Sequence, residues 1–342
     1  MVVRELSMIR YTVLVCAALL CGADSALAQA PAAPPTAKKV FGPAKVSEPW
    51  ERVVFTEAVP NSDIPVDITL LETVDGLFTP IGVRHPKGNG PFPVVLFFSG
   101  NGGAGLAQVR DYINNYAYTM ERFLAQGYAV AWLQYRAEAW YAYPKLPPLQ
   151  VGRQQANQLM NRPPLEIDDL AAIVEYVKRL PYVDSNRVGL CGNSHAGGMI
   201  LRAGSQGLNV RAAIVSEPDA SEFLGLKEEY FAVDEPLFRT IESAAPYLDK
   251  KAAMERMRGI NFPMFFVNRD RDELQGLFET AYTWAKEAGK TVEHVSYDHP
   301  VHGYVVRVKK DEKGVYHPDD IQLKVIQQAL DFFGKYMGPT GS

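Results

Sequence analysis

Apolar positions along this chain follow two periods that alternate with each other. Val66 to Thr73 and Leu77 to Arg84 are β-rich runs on either side of Asp75-Gly76, which predicts a hairpin. Pro93-Val-Val-Leu-Phe-Phe98 is a continuous apolar run, as expected of a strand covered on both faces. Further strands are predicted at Tyr128 to Tyr135, Arg187 to Cys191, Arg211 to Ser216, Met264 to Asn268 and Val292 to Tyr297. Helical spacing covers Gln108 to Gln126, closed by Gly127, and Leu165 to Leu180, closed by Pro181. It returns at Ala196 to Ser205, Glu273 to Ala288 and Asp319 to Met337. Strand and helix linked by short turns predict an α/β fold, with a mostly parallel sheet of about eight strands and helices on both faces. Two longer stretches leave this rhythm, Arg136 to Pro164 and Pro218 to Phe262.

The first 49 residues do not share the pattern. Arg4 and Arg10 precede an apolar stretch from Tyr11 to Leu20, and Ala26-Leu27-Ala28 stands just before Gln29. This is the form of a secretory signal peptide, residues 1–28, with Met8 as a second candidate start. The run breaks at Gly22 and Asp24, too short for a membrane anchor, so a secreted or periplasmic location is expected. Residues 29–49 hold Pro31, Pro34, Pro35, Pro43 and Pro49 and read as a tether, leaving a single domain over 50–342.

Composition removes several function classes. Of 342 residues, 47% are hydrophobic and 22% charged, the balance of a folded chain. A net charge of -4 supplies no footprint for nucleic acid. Three cysteines without a C-x-x-C spacing give neither a disulfide framework nor a zinc module. Two of them, Cys16 and Cys21, fall in the leader, so the exported chain would keep Cys191 alone. Cys191 lies on the predicted strand and reads as a small buried apolar residue.

The stretch with chemistry in it is Val188-Gly-Leu-Cys-Gly-Asn-Ser-His-Ala-Gly-Gly198. Ser194 stands between a buried strand and a helix, with Gly192 and Ala196 two residues to either side. A sharp strand-to-helix turn needs small residues at those offsets and leaves the hydroxyl above the sheet, facing a helix N-terminus that favours negative charge. Downstream lie Asn268-Arg-Asp-Arg-Asp272 after one strand and Asp298-His-Pro-Val-His302-Gly-Tyr304 after the last.

Gly192-x-Ser194-x-Ala196-Gly-Gly, together with Asp168-Asp169 on a helix and Val183-Asp184 before the strand, resembles the α/β-hydrolase superfamily, nearest its dienelactone hydrolase and prolyl oligopeptidase-like branch. The resemblance spans about Val66 to Met337. Ala196 replaces the commoner glycine, a serine stands where dienelactone hydrolases carry cysteine, and no propeller domain precedes the hydrolase part.

The resemblance implies a triad in the order Ser, acid, His. Ser194 is the expected nucleophile, Asp272 the acid and His302 the base, with Asp270 and then Glu217 as alternative acids. His299 is expected to be a loop hydrogen-bonder. The oxyanion donors are expected to be the N–H of His195 and one from Ser99-Gly-Asn-Gly-Gly103, with Asn101 ahead of Gly102. The implied activity is hydrolysis of a small-molecule carboxylic ester, with peptide hydrolysis as the alternative and a catalytically silent binding protein behind it. No cofactor or metal is expected: Asp298, His299 and His302 lack an open-site ligand pattern. Gly100-x-Gly102-x-x-Gly105 has dinucleotide-binding spacing, but the next strand ends Gln134-Tyr135-Arg136, with no acid for a ribose. Arg136 with Asp168 and Asp169 reads as a structural ion pair. Trp140, Tyr141 and Tyr143 in the first excursion are candidate pocket residues, as are Phe223, Tyr230, Phe231, Phe238 and Tyr247 in the second. They would favour bulky, uncharged esters.

Overall fold

The computed structural model describes residues 51–73, 78–100, 105–136, 162–227 and 238–338. The leader, the tether, Asn101, Gly102, and Trp140, Tyr141 and Tyr143 therefore lie outside the described residues, as do Tyr230 and Phe231. All the described residues fall in one unit, Ser47–Ser342.

Among the described residues nine strands form one sheet, one more than expected: β1 (Glu51–Glu57), β2 (Val66–Glu72), β3 (Phe78–Arg84), β4 (Phe92–Phe98), β5 (Ala129–Leu133), β6 (Val183–Asn193), β7 (Ala212–Ser216), β8 (Met264–Arg269) and β9 (Val292–Tyr297). The additional strand, β1, pairs antiparallel with β2 at the sheet edge and is interrupted by a register shift between Val53 and Phe55. Spatial order is β1-β2-β3-β5-β4-β6-β7-β8-β9. The pairs from β1 to β3 and on to β5 are antiparallel, and every other pair is parallel.

The helices are α1 (Leu106–Asn115), α2 (Tyr118–Ala125), α3 (Arg162–Lys178), α4 (His195–Ser205), the short α5 (Ile241–Ala244), α6 (Lys250–Gly259), α7 (Gln275–Glu287) and α8 (Asp320–Met337). Each face of the sheet has its own core. On one side Val109, Met120, Phe123, Val325 and Phe333 from α1, α2 and α8 pack on Phe97, Cys191 and Ile214. On the other, Leu170, Ile200, Met257 and Leu277 from α3, α4, α6 and α7 pack on Leu96, Leu190 and Val215. The central strands are apolar on both faces because both faces are covered.

The predicted helix over Gln108 to Gln126 is two helices. At the break, Asn115 O accepts from Lys310 N at 2.9 Å, and Ala117 N–H donates to Tyr316 Oη at 3.1 Å. Backbone groups that would have closed the helical ladder are taken by a distant loop, which no local pattern announces. The strand expected at Arg187 to Cys191 is longer at both ends, Val183–Asn193.

Chain order reverses at the centre of the sheet, because β4 leads to β5 on one side and β5 then leads across to β6 on the other. The helices that follow β4 and β6, α1 and α4, lie on opposite faces of the sheet, which makes this the switch point at which open α/β sheets place ligands. Ser194 and Gly100 lie at this point.

Candidate active site

Ser194 caps the N-terminus of α4 with φ 59° and ψ -127°. That left-handed backbone is costly for a residue with a Cβ and is held from outside: Ser194 N donates to Ser216 O at 2.9 Å, and Ser194 O accepts from Gly198 N at 3.2 Å and Asp219 N at 3.0 Å. No side-chain bond of Ser194 caps the helix, so its hydroxyl takes no part in holding the turn. The small neighbours have physical reasons. A Cβ on Gly192 would meet Ala196 backbone at 3.0 Å and Ile200 at 2.9 Å, and one on Gly198 would come within 2.2 Å of Asp219 O. Gly197 and Gly198 thus let α4 approach the turn Ser216 to Asp219, as well as the sheet.

Gly100, at the end of β4, faces the same turn. A Cβ there would lie 3.1 Å from His195 N and 3.2 Å from Ser194 Oγ. The first residue of the glycine-rich loop therefore borders both the hydroxyl and the N–H expected to serve an oxyanion. Asn101 itself is outside the described residues.

His302 follows β9, and its loop packs against the residue before Ser194: a Cβ on Gly303 would fall 2.5 Å from Asn193 Nδ2. Gly303 has φ 77°, so the close approach and the backbone both call for glycine. His302 Nδ1 lies 3.3 Å from Glu217 Oε1 and 3.5 Å from Asp272 Oδ2. Both acids reach the imidazole. Asp270, the nearer alternative in sequence, turns to Ser296 Oγ on β9. Glu217, third in the sequence ranking, thus stands beside the imidazole together with the first-ranked Asp272.

Glu217 is fully buried, and its φ of 42° is again left-handed. Its Oε2 accepts from Gly303 N at 2.6 Å, and its Oε1 accepts from Arg269 Nε at 3.1 Å. Asp272 Oδ1 accepts from Leu274 N at 2.8 Å, and Oδ2 accepts from Arg269 Nη2. Arg269 also donates Nη1 to Pro300 O at 3.3 Å, in the histidine loop. Burial works against charge on Asp272, but His302, the Leu274 N–H and Arg269 outweigh it and hold the carboxyl at about 2. Burial likewise opposes charge on His302, yet Asp272 and Glu217 prevail and push the imidazole up to about 9.

Glu217, Asp272 and His302 present ligand atoms within 4.8 Å of one another, the outline of a metal site. Arg269 on both carboxylates already supplies the positive charge there, so the donor set does not suit a cation. Asp298 pairs with Arg271. His299 is buried, accepts from Val301 N at 3.0 Å and pairs with Asp319 at 2.7 Å, tying the loop to α8.

One pair had no warning in the sequence. His195 Nε2 contacts Glu166 Oε2 on α3, and Glu166 is fully buried. Arg136 and Asp169 form a buried ion pair nearby in the chain, Nε to Oδ1 3.1 Å, with Asp168 at 3.8 Å. Cys191 is buried, and burial pushes its thiol well above the usual range. Of the aromatic candidates that are described, Phe223 and Phe238 belong to the core and Tyr247 packs against it, so these three build the excursion itself.

No family model matches the chain, and no curated protein matches it by sequence. Solved structures do. A Klebsiella pneumoniae protein described as a dienelactone hydrolase aligns with 80% of this chain and 100% of its own at 16% identity and TM-score 0.53. A fungal esterase from Rhizomucor miehei covers 82% of this chain and 86% of its own, at 14% and 0.52. The acylaminoacyl peptidase of Pyrococcus horikoshii covers 82% of this chain and 43% of its own, at 18% and 0.54. This chain therefore has the α/β-hydrolase fold, as its sequence resemblance implied. Its neighbours in that fold include esterases and a peptidase, and the chain spans under half the length of the latter.

Proposed function

We propose that this protein is an exported serine hydrolase that cleaves carboxylic esters through an acyl-enzyme on Ser194. The observation that carries the reading is the strained elbow, with Ser194 in left-handed backbone between β6 and α4 and bordered by Gly100. In this reading Ser194 Oγ attacks the ester carbonyl while His302 takes its proton, and the carboxylate side of the site, Asp272 foremost, orients the imidazole and stabilises its charged form. The tetrahedral oxyanion is received by His195 N–H and by a donor from the loop after Gly100, with Asn101 the leading candidate. The intermediate collapses as the ester C–O bond breaks, and His302 gives its proton to the departing alcohol; water, deprotonated by His302, then attacks the acyl-enzyme and releases the carboxylic acid and the free serine, with no cofactor required. Export rests on the leader pattern of residues 1–28, and no described helix is long and apolar enough to cross a membrane.

A fluorophosphonate probe and a substrate pair test this. Labelling should occur and be abolished by Ser194→Ala, and p-nitrophenyl acyl esters should turn over while aminoacyl-p-nitroanilides do not. Exclusive turnover of the anilide would make the protein a peptidase, and absence of labelling would leave a silent hydrolase fold. Because the serine proton must pass to a neutral imidazole, kcat/KM on the ester should climb as pH rises toward about 9, the value to which His302 is pushed.

A further inference from the structure

We infer that His302 is positioned by two carboxylates acting together, Glu217 and Asp272, and that Arg269 is the residue that makes this shared arrangement workable by cancelling one of their two charges. The inference rests on the serine-hydrolase reading and extends it to residues that a three-member triad does not contain.

Both carboxylates approach the same nitrogen of the imidazole at nearly the same distance. Nδ1 stands 3.3 Å from one carboxylate and 3.5 Å from the other, so neither is excluded and neither alone holds it. The acids come from the ends of neighbouring strands, β7 and β8, and converge only because those strands are paired, Ser216 beside Val267. Glu217 keeps a left-handed backbone and complete burial, conditions that cost stability and persist where surrounding structure enforces them.

Two buried carboxylates side by side would ordinarily drive one of them to hold a proton. Arg269 stands between the two, contacting Glu217 through Nε and Asp272 through Nη2, so a positive charge faces both carboxylates. Arg269, Glu217 and Asp272 together carry one net negative charge, which matches the single positive charge His302 acquires when it accepts the serine proton. The third contact of Arg269, to Pro300 O, fastens the histidine loop to the same guanidinium. Other charged groups beside this cluster are Arg307, whose side chain lies against Gly303, and Asp270, engaged by Ser296.

The test is a double-mutant cycle on the full chain, with ester turnover and pH profiles as readouts. Glu217→Gln and Asp272→Asn should each lower kcat by about tenfold to a hundredfold, and the double variant should fall to the level of His302→Ala, on the order of 10⁴-fold or more. If either single variant already reaches that level, or the double is no worse than the weaker single, the shared arrangement is wrong. Arg269→Gln should move the acid limb of kcat/KM upward by about one pH unit, and Arg269→Lys should restore part of it. An unmoved limb removes Arg269 from the scheme. The melting temperature of each variant distinguishes a folded site from a collapsed one. If Ser194→Ala and His302→Ala keep wild-type turnover, the underlying serine-hydrolase reading fails instead.

Discussion

Two imidazoles in this molecule contact buried carboxylates, and they do so by opposite routes. His302 lies on a loop after the last strand and meets acids from two neighbouring strand ends, with an arginine between them. His195 begins the helix after the nucleophile and meets one acid, Glu166, from a helix on the sheet's flank. In the proposed mechanism the first partnership holds Nδ1 of a ring whose other nitrogen would gain and lose the serine proton. The second fixes the side chain of a residue whose backbone N–H is the part expected to matter. On the proposed mechanism the same chemical pair would serve proton transfer in one place and orientation in the other.

The comparison breaks most visibly at the reacting groups. Ser194→Ala and His302→Ala should each reduce kcat on the order of 10⁴-fold or more with the fold retained. If His195→Ala matched that loss with the same pH profile, the two imidazoles could not be assigned different work. A smaller effect sharpens the contrast: Glu166→Gln should lower kcat by about tenfold through a loosened oxyanion donor, with KM and the acid limb unmoved. A shifted limb would mean that Glu166 reaches the proton-transfer side after all.

The smallest effect is one of stability. The carboxylates raise the folded His302 above its ordinary 6.5, so their stabilisation is fully present below that value and is lost as pH rises through about 9. The melting-temperature gap between the wild type and His302→Ala should therefore be widest near pH 6 and close above about 9. A gap that stayed constant across that window would show the ring to be uncoupled from its acids.

These contrasts also mark how far the sequence could be read. The strand runs and the turn at Ser194 were legible because each depends on neighbours: continuous apolar residues for a strand covered twice, small residues at two-residue offsets for a sharp elbow. The acid was legible only as a set of alternatives. Asp270 and Asp272 sit two positions apart after one strand, and which of them faces the histidine depends on the turn at Arg271, whose φ is 62°. Glu217 ranked last because the family resemblance places the acid after a later strand, whereas proximity in space follows from β7 and β8 being paired. Its signal was local but faint, a single acid between the apolar run Ala212 to Val215 and Pro218. Arg269 had a comparable one, a cation ending an apolar strand. Glu166 and His195 are 29 positions apart with nothing in either segment to join them. Likewise, the break between α1 and α2 depends on Lys310 and Tyr316, far downstream.

One detail of the elbow reaches beyond catalysis. The turn at Ser194 is fastened through its peptide groups, by Ser216 on one side and by Gly198 and Asp219 on the other, with no bond from the hydroxyl. Removing that oxygen takes away the blade and leaves the handle. On the proposed function a Ser194→Ala chain would be a bait that holds an ester without consuming it, and incubation with extracts of native metabolites followed by mass spectrometry would let the protein itself select its substrate.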